Sequence, residues 1–368
     1  MQKYTHTFEN EMNDAGILEK NDAASLAAAV RNPLRAWYLN HARPLPWRES
    51  PTLYGTWLSE IMLQQTRVDT GIPKWHAFLE AFPTVHDLAE AAEDDVLKAW
   101  EGLGYYRRAR LLHKAAKQVA SDGHFPENHE AWLKLPGVGP YTSAAIASIG
   151  LGEPVAAVDG NVQRVISRFF GLDVPVDAQP GATQVQQLAR AALHPAHPGD
   201  HNQAMMELGA LVCTPSPSCE ACPLAGNCRS AFDPVAWRKR PVKTPKKPPT
   251  KWPLTLHLAT HGDSWVAVQR PASGVWAKLW CLPEVPPPAG ALELGALMPP
   301  VRHVLSHRVI EATFLAWQLP SQADLERWSA TLGGRIVTWE SAQGLAFPRL
   351  VTKHWEAIRR RVAPPENA

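Results

Sequence analysis

Hydrophobic residues between Ala24 and Cys228 recur at helical spacing, and strand-like alternation is almost absent from this part of the chain. Two sets of them are spaced to line single helical faces: Trp57, Leu58, Ile61, Met62 and Val68, and then Val162, Val165, Ile166, Phe169 and Phe170. A succession of short amphipathic helices is typical of an all-α domain. The pattern therefore predicts an all-α domain over residues 25–232.

The pattern changes after Pro253. Runs of apolar and β-branched residues there have the length of strands: Leu254 to Thr260, Trp265 to Arg270, Leu279 to Pro283, His303 to Leu319 and Arg335 to Trp339. A last helix, from Arg349 to about Arg361, is expected to pack on these strands. The sequence therefore predicts a second domain of the α+β class over residues 253–364.

Residues 233–252 separate the two predicted domains. From Trp237 to Lys251 this segment has seven Lys or Arg residues, four prolines and no acidic residue. Such a composition is typical of a linker, which is either a solvated spacer or a contact for a DNA backbone. At the other end of the chain, residues 1–24 show no sustained apolar period and are expected to form a loose tail.

Composition narrows the class of protein. The chain has 368 residues, of which 45% are hydrophobic and 20% are charged, as in a globular protein of two domains. No stretch approaches the roughly 20 apolar residues of a membrane span, so a cytoplasmic location is expected. The formal net charge of +2 is too small to indicate nucleic-acid binding by itself, and any positive surface must be local.

Four of the five cysteines lie close together, at Cys213, Cys219, Cys222 and Cys228. Disulfide frameworks belong to small secreted chains, so this cluster predicts metal ligation instead. Four thiolates suit either a zinc ion or an iron–sulfur cluster, and the spacing alone does not decide between them.

A glycine-containing turn is predicted between two helices at Leu135–Thr142, with the sequence LPGVGPYT. Gly137 and Gly139 allow positive φ and let a phosphate approach bare N–H groups at the start of the following helix. An ordinary turn between helices has the same composition. The turn alone is therefore a weak indication of a DNA-backbone contact, and the carboxyl groups described next strengthen it.

Asp159 and Glu60 are candidates for the two carboxyl groups that glycosidic-bond cleavage uses. Asp159 opens a helical run, where an aspartate is usually an N-cap, and Glu60 lies among apolar neighbours, although most helical glutamates are solvated. Breaking a glycosidic bond needs one carboxylate to stabilise the sugar cation and one protonated carboxyl to serve the leaving group. Partial burial of Glu60 would favour its protonated form, which makes it the candidate acid.

Together these motifs resemble the helix–hairpin–helix DNA glycosylases, and in particular the MutY family of adenine DNA glycosylases. The strings that carry the resemblance are LPWR at 45–48, WLSEIMLQQT at 57–66, GLGYY at 102–106, the turn at 135–142, VDGNV at 158–162 and NQAMM at 202–206. The resemblance implies an all-α domain with a six-helix barrel and a 4Fe-4S module at the four cysteines, followed by an α+β Nudix-like domain. It also implies a monomer that binds double-stranded DNA with adenine opposite 8-oxoguanine or guanine.

The resemblance assigns roles to individual residues. Glu60 would protonate adenine at N7 and Asp159 would stabilise or trap the sugar cation, with Tyr141 and Asn161 as their supports. The adenine pocket would comprise Arg43, Trp47, Arg48, Leu63 and Gln203, although Trp47 and Leu63 also suit plain core packing. Gln65 and Tyr105 would wedge into the duplex, or else are ordinary helix and loop residues. Endonuclease III relatives that cleave the backbone carry a lysine nucleophile where this chain has Tyr141, which implies a monofunctional enzyme.

In the C-terminal domain, Ser306 and His307 lie in the segment that corresponds to the 8-oxoguanine-reading loop of the family. The glutamate-rich box of true Nudix hydrolases is missing, so this domain is expected to bind rather than hydrolyse. Two features depart from the family: the first cysteine spacing is one residue shorter, with no basic residue in the loop 214–218, and Leu305 stands where an aromatic residue is usual.

Three competing functions fit parts of this pattern. A thymine or uracil mismatch glycosylase would share the helical domain, but the lesion-reading module argues against it. A noncatalytic damage-binding protein would keep the fold, but the presence of both Glu60 and Asp159 argues against it. A zinc-stabilised DNA-binding module would differ from a 4Fe-4S protein in its absorption near 400 nm.

Overall fold

The structure is a computed structural model that describes residues 20–245 and 247–362. The chain divides into two compact units. The first unit comprises Met1–Glu60 and Phe125–Pro245, and the second comprises Ile61–His124 and Lys246–Ala368. Most of the predicted N-terminal tail lies outside the described residues, and the first helix begins at Lys20, inside the predicted tail.

Helices account for most of the described chain before residue 240. In order they are α1 (Lys20–His41), α2 (Pro46–Glu49), α3 (Leu53–Met62), α4 (Val68–Ala81), α5 (Val85–Glu90), α6 (Glu93–Ala99), α7 (Arg107–Asp122), α8 (His129–Trp132), α9 (Pro140–Leu151), α10 (Gly160–Phe170), α11 (Gly181–Ala192), α12 (Pro198–Leu211) and α13 (Pro234–Lys239). Short 3-10 turns at Cys219–Ala221 and Ala225–Asn227 follow α12. The helical fold class predicted for this part of the chain is confirmed, although its helices are divided between the two units.

The core of the first unit is built by α1, α10, α11 and α12. The apolar face predicted for α10 is confirmed, since Val162, Val165, Ile166, Phe169 and Phe170 are all buried in that core. The face predicted from Trp57 to Val68 needs a correction. Helix α3 ends at Met62, and Val68 begins α4 after a turn.

The C-terminal part of the second unit contains a mixed sheet. Its strands are β1 (Thr250–His261), β2 (Ser264–Gln269), β3 (Trp280–Cys281), β4 (Leu292–Ala296), β5 (Val301–Val304), β6 (Arg308–Gln318) and β7 (Arg335–Thr338), and its helices are α14 (Gln322–Leu332), α15 (Arg349–Thr352) and α16 (Trp355–Val362). The strand order is β3-β2-β1-β6-β4, with β5 beside β6 and β7 beside β2. Strands β1 and β6 are parallel, and the other pairs are antiparallel. This confirms the α+β class.

Three predictions for this sheet need correction. The single strand predicted over His303 to Leu319 is two strands, β5 and β6, which pair through a turn at residues 305–308. Strand β4 and helix α14 were not predicted. Strand β4 is largely exposed, and its burial does not alternate along the strand. The last predicted helix is broken into α15 and α16.

Within the second unit, the helical residues 61–124 contact strand β3 and two loops of the C-terminal part. The Tyr106 hydroxyl donates to the Phe347 carbonyl at 3.4 Å, and Arg110 Nη1 donates to the Ala272 carbonyl at 3.1 Å. The Trp280 indole donates to Asp94 Oδ2 at 3.4 Å. Contacts between segments this distant in sequence could not be predicted from the chain pattern.

The predicted linker of residues 233–252 is ordered at both ends. Helix α13 occupies its start, and strand β1 begins at Thr250. Between them, Arg240 forms a two-point ion pair with Asp173 at 2.9 and 3.1 Å, and the Thr244 N–H donates to Asp177 at 2.9 Å. Part of its basic charge is thus paired within the first unit. No helix in the described part of the chain is long and apolar enough to span a membrane.

Candidate active site

The Glu60 carboxylate lies within hydrogen-bonding distance of Tyr141 in the first unit. Tyr141, at the start of α9, donates its hydroxyl to Glu60 Oε2 at 2.7 Å, and the same hydroxyl lies 3.0 Å from the Met206 sulfur. Glu60 is partly buried near the end of α3, where the preceding residues are core. The pairing joins two residues that are 81 positions apart in sequence.

Burial raises the pKa of Glu60 to about 7, and the negative charge of Asp159 contributes to the rise. The hydrogen bond from Tyr141 and the positive charge of Arg48 oppose it. The carboxyl therefore holds a proton through a large part of the neutral pH range. Burial also raises the pKa of Tyr141 well above its usual value, which keeps this phenol a hydrogen-bond donor.

Asp159 is the N-cap of α10, as one of its two sequence interpretations requires. Its Oδ1 accepts from the Val162 N–H at 2.7 Å, and its Oδ2 accepts from the Asn161 side-chain amide at 2.9 Å. Burial raises the pKa of Asp159, while these two hydrogen bonds and the charge of Arg164 counteract the rise. Donors aimed at the ionised form stabilise a carboxylate in a fixed orientation. The cap therefore does not exclude a catalytic role, because the fixed carboxylate remains electrostatically coupled to Glu60.

Asn161 is held in turn by Arg164, a residue that the sequence did not single out. Arg164 Nη2 donates to Asn161 Oδ1 at 2.9 Å and to the Gly209 carbonyl at 2.7 Å, and its Nε donates to the Cys213 carbonyl at 2.7 Å. The chain of contacts runs from Asp159 to the first of the four cysteines. The sequence did offer a signal for this contact, because Arg164 lies three positions after Asn161 on the helix that Asp159 caps.

A buried carboxylate joins Arg43 and Arg48, and Arg48 in turn contacts Gln203. Glu207, which is 1% exposed, accepts two side-chain hydrogen bonds from Arg43 at 2.7 and 2.9 Å and one from Arg48 at 3.1 Å. Arg48 Nε also donates to Gln203 Oε1 at 3.0 Å. Burial alone would raise the pKa of Glu207, but hydrogen bonds from the two arginines outweigh it and lower the pKa to about 2.

The sequence analysis missed Glu207, although it directly follows the NQAMM string. The charge of this residue offsets part of the charge of both arginines and fixes their guanidinium groups. Two of the five residues predicted for the adenine pocket, Arg43 and Arg48, are therefore brought together by a residue outside the prediction, and Gln203 is joined to them through Arg48.

The other two residues predicted for the adenine pocket are Trp47 and Leu63. Trp47 is buried in α2 of the first unit. Leu63 belongs to the second unit, where a Cβ on Gly71 would come within 2.9 Å of its Cδ2. Both positions are thus compatible with the packing interpretation.

The predicted glycine turn lies between α8 and α9. Gly137 has a φ of 79°, which L-residues rarely adopt, and Gly139 caps α9 without a side chain. A Cβ at Gly139 would meet no atom within 4 Å, so the backbone there is open on one side. Because Pro140 is the first residue of α9, the next helical N–H groups belong to residues such as Tyr141.

The four clustered cysteines form no disulfide and line one pocket. Arg168, which is 4% exposed, lies on the same pocket, with its Nη1 3.5 Å from Cys213 Sγ and 2.6 Å from the Thr214 carbonyl. No group of three or more His, Cys, Asp or Glu side chains in the described residues is arranged to hold a metal ion. Four thiols facing one pocket suit either a zinc ion or an iron–sulfur cluster.

The chemistry of the thiols agrees with such a group. Burial raises the pKa of Cys222 to about 11, and the charges of the other three cysteines raise it further. Four thiolates in this space would repel each other without a cationic partner. A positively charged cluster would remove that repulsion, which makes Cys213, Cys219, Cys222 and Cys228 a fitting donor set.

Gln65 and Tyr105 are both exposed in the second unit, and both have left-handed backbone conformations. Their φ values are 60° and 49°, and the Tyr105 side chain is 51% exposed. For a residue with a Cβ this conformation costs about 1 kcal/mol or more. The loops therefore hold both residues in a strained backbone conformation with their side chains exposed to solvent.

Ser306 and His307 form the exposed tip of the turn between β5 and β6. The Leu305 N–H donates to the Arg308 carbonyl at 2.8 Å and closes the turn. The Thr250 N–H donates to the His307 carbonyl at 3.1 Å, which ties the tip to the first residue of β1. Leu305 packs against the sheet core. An apolar side chain directed to that core contributes to anchoring the tip.

Comparisons with known proteins agree with this architecture. Residues 58–195 match the HhH-GPD superfamily of base excision DNA repair proteins, and residues 255–357 match the NUDIX domain. An adenine DNA glycosylase of Rattus norvegicus is 33% identical over 406 residues, covering 90% of this chain and 78% of the relative. An adenine DNA glycosylase of Homo sapiens is 44% identical over 218 residues, covering 55% of this chain and 39% of that protein.

One solved structure extends the comparison to the fold. A thermostable thymine-DNA glycosylase matches 56% of this chain and 96% of its own, with 27% identity and a TM-score of 0.51. The fold and the two matched domains define a helix–hairpin–helix base excision DNA repair protein that carries a Nudix-like domain. The match to the rat enzyme covers most of both chains and therefore identifies the family. The chain belongs to the family of adenine DNA glycosylases, enzymes of the hydrolase class, as the motifs indicated.

Proposed function

We propose that this protein hydrolyses the N-glycosidic bond of adenine mispaired with 8-oxoguanine or guanine in double-stranded DNA. The observation that carries the proposal is the pair of coupled carboxyl groups, Glu60 and Asp159, in two different environments. Burial favours a protonated Glu60 even though Tyr141 donates to it, whereas two hydrogen bonds and the charge of Arg164 oppose the rise that burial causes in the pKa of Asp159. Unlike environments for two neighbouring carboxyls are what an acid and a cation stabiliser need.

In the proposed reaction Glu60 gives its proton to N7 of adenine. The bond between the sugar and adenine then breaks, its electron pair leaves with the base, and positive charge develops on the sugar. The fixed Asp159 carboxylate stabilises this charge, and Asn161 holds the carboxylate in place. The oxygen of a water molecule bonds to the sugar, the proton that this water releases restores the Glu60 carboxyl, and an abasic site is left. Tyr141 positions Glu60 through its hydrogen bond.

The enzyme is proposed to be monofunctional. Cleavage of the backbone would need an amine nucleophile that forms a Schiff base. Tyr141 occupies the position of that lysine in the resembling lyases, and its hydroxyl is engaged with Glu60. Its raised pKa also keeps it from acting as a phenolate.

The adenine pocket is proposed to use Arg43, Arg48 and Gln203 of the first unit, with Trp47 as an apolar surface. Because Glu207 fixes both guanidinium groups, the two groups are oriented before the base arrives. Preorganised donors avoid part of the ordering cost of binding. The open backbone at Gly137 and Gly139 is proposed to contact DNA phosphate.

Lesion reading is assigned to the exposed tip of the β5–β6 turn. Ser306 and His307 would contact 8-oxoguanine, while Gln65 and Tyr105 would enter the duplex beside the extruded adenine. Extrusion costs a few kcal/mol and is cheapest at a mispair. The exposure and the fixed backbone of these four residues support such contacts.

The four cysteines are proposed to hold a 4Fe-4S cluster, which supplies positive charge that joins the segment 213–228. We further propose a cytoplasmic monomer that associates with the nucleoid through DNA. The unlike environments of Glu60 and Asp159 favour catalysis over damage binding alone.

The decisive experiment is single-turnover base release from a duplex with one adenine opposite 8-oxoguanine. Wild type and Glu60→Gln are compared with and without alkali, and Glu80→Gln, an exposed glutamate of α4, is the control. Strand scission only after alkali, lost in Glu60→Gln and kept in Glu80→Gln, is the expected result. Release of thymine or uracil instead of adenine by the iron-loaded wild type would refute the proposal and favour a pyrimidine-mismatch enzyme.

Lesion reading is tested separately with the double variant Ser306→Ala and His307→Ala. We expect the preference for 8-oxoguanine over guanine opposite adenine to shrink, while release from the adenine–guanine mispair changes little. Equal loss on both duplexes would show that the turn contributes general affinity and not lesion reading.

A further inference from the structure

Two loops of the second unit carry the proposed duplex-entering residues, and one side chain lies between them. Gln65 and Tyr105 are 40 positions apart, but both sit on left-handed backbone and both are exposed. If the two side chains are to enter one duplex in a single step, the spacing between their loops must be fixed beforehand. This inference rests on the proposed function.

Arg108, in the first turn of α7, contacts the backbone of the first loop at several points. Its Nη1 donates to the carbonyls of Ile61 at 2.8 Å, Met62 at 2.9 Å and Gln64 at 2.6 Å. Its Nη2 lies 3.3 Å from the Thr66 hydroxyl. These contacts bracket Gln65 on both sides. They also give a cation to the carbonyl end of α3, where the helix dipole favours positive charge.

The same guanidinium contacts the second loop. Arg108 Nη2 donates to the carbonyls of Leu103 at 2.9 Å and Gly104 at 3.0 Å, directly before Tyr105. Its central carbon lies 5.7 Å from the centre of the Tyr105 ring and 5.3 Å from the centre of the Trp100 ring. Two planar, parallel sets of donors allow one arginine to hold two backbones, which a lysine ammonium could not do.

The guanidinium is also largely withdrawn from water. Burial lowers the pKa of Arg108 to about 10, so the side chain still carries its charge at neutral pH. Hydrogen bonds from a charged donor to carbonyls are stronger when solvent is excluded. The two loops therefore share one rigid connection and are not braced independently.

We infer that Arg108 is a positioning residue that holds Gln65 and Tyr105 at the spacing required to enter the duplex together. Arg108 itself touches neither DNA nor the reacting atoms in this account. Its removal should leave Glu60 and Asp159 intact and slow the step in which the bases beside the mispair unstack. A misplacement of about 1 Å is enough to cost such a step about 100-fold.

Arg108 could instead only stabilise the fold. A mutant cycle distinguishes this role from positioning of the two loop residues. If Arg108 acts through the two loop residues, its loss should matter little once both have been removed by Gln65→Ala and Tyr105→Ala. A residue that only stabilises the fold would cost the same in both backgrounds, because independent effects are additive.

The experiment follows the fluorescence of 2-aminopurine placed beside the adenine of an adenine–8-oxoguanine duplex, mixed rapidly with the full-length, iron-loaded protein. Arg108→Gln is compared with the parent in the wild-type background and in the Gln65→Ala, Tyr105→Ala background. Lys114→Gln, an exposed position of the same helix, is the charge-matched control. Thermal unfolding of each variant shows which of them are folded at the assay temperature.

We expect Arg108→Gln to slow the fluorescence change by about 10- to 100-fold in the wild-type background and by less than about twofold in the other. Lys114→Gln should match wild type. Equal slowing in both backgrounds would overturn the inference. Should Arg108→Gln unfold, Arg108→Lys serves instead: the same pattern is expected, and a lysine variant that behaves as wild type would also overturn it.

The fluorescence does not depend on base removal, so it separates this inference from the proposed function. A wild type that unstacks the duplex but releases no adenine would refute the glycosylase assignment and leave the role of Arg108 standing. A wild type that produces no fluorescence change at all would refute the role of Arg108.

Discussion

Glu60 illustrates how one side chain acquires a function from its surroundings. In water a glutamate loses its proton near pH 4.5, but burial beside Tyr141 moves the pKa of this residue to about 7. A general acid works best when its pKa lies near the operating pH. Both the rate of the reaction and the stability of the protein should therefore respond to this one group.

The rate constant of single-turnover adenine release should decrease above about pH 7, by about tenfold per pH unit, because only the protonated Glu60 can donate. The measurement is a pH series at saturating enzyme, with binding of the uncleaved duplex measured at each pH as the control. A rate that rises steadily from pH 6 to pH 9 would exclude Glu60 as the acid.

Glu60→Gln should also stabilise the protein at alkaline pH. The pKa of Glu60 is higher in the folded than in the unfolded state, so the protonated group contributes stability that is complete below about pH 4.5 and lost as the pH rises through about 7. An amide cannot ionise and escapes this loss. We expect a gain of about 1 to 3 kcal/mol at pH 8 and little gain at pH 5, measured by denaturant unfolding. An equal effect at both pH values would contradict the assigned pKa.

Glu207→Gln tests the buried carboxylate that joins Arg43 and Arg48. Removing its charge leaves two guanidinium groups without their common partner, a type of change that costs about 3 to 5 kcal/mol when fully buried. Because Arg43 is about a third exposed, we expect a smaller loss of stability, together with a higher KM for the mispaired duplex. Glu80→Gln should change neither quantity, and an unchanged KM in Glu207→Gln would argue against a pocket role for the two arginines.

At the scale of elements, the close approach of α12 to α10 positions the Asp159 carboxylate. A Cβ on Gly209 would come within 2.6 Å of the Asn161 Cβ and 3.2 Å of its Cα, so only glycine fits at this contact. Asn161 donates to Asp159, and the Gly209 carbonyl accepts from Arg164. The close packing of α12 on α10 and the orientation of the Asp159 carboxylate therefore depend on each other.

Gly209→Ala should displace Asn161 and lower the single-turnover rate by about 10- to 100-fold, because a small misplacement of a catalytic group is costly. Overpacking of this kind also destabilises by about 1 to 3 kcal/mol. Gly344→Ala is the control, since a Cβ there meets no atom within 4 Å and its φ is not positive. A Gly209→Ala enzyme with full activity would show that Asn161 does not hold Asp159 for catalysis.

At the scale of the whole molecule, the first unit depends on a segment that has little regular structure. Between α12 and α13 the chain has only two short 3-10 turns in its described residues, and it is joined to α10 through Arg164 and Arg168. Such a segment buries little apolar surface of its own. A bound cluster would therefore contribute directly to the folding of the first unit.

Cys222→Ser should abolish absorption near 400 nm, lower the iron content and reduce adenine release, with loss of thermal stability by several degrees. Cys281→Ala, at a buried cysteine of β3 outside the cluster, should keep both iron and absorption. A Cys222→Ser protein that retains zinc and the stability of the wild type would favour a zinc site.

Local patterns in the sequence were sufficient for the helical and α+β classes, the four thiols and the two carboxyls. The helical period of α10 depends on neighbours within two turns, and the spacing of the cysteines depends on the chain alone. The same local information explains the errors. No change of pattern separated β5 from β6, and the largely exposed β4 was not recognised as a strand.

Contacts across long separations were decided only by the tertiary structure. Glu60 meets Tyr141 across 81 positions, Arg43 meets Glu207 across 164, and Arg108 joins loops that lie some 40 positions apart. The pKa of Glu60 and the conformations of Gln65 and Tyr105 depend on those contacts. The sequence determined which chemical groups this protein has, because composition and local period are properties of the chain. Burial and charge, which depend on what the fold brings near each group, determined what those groups can do.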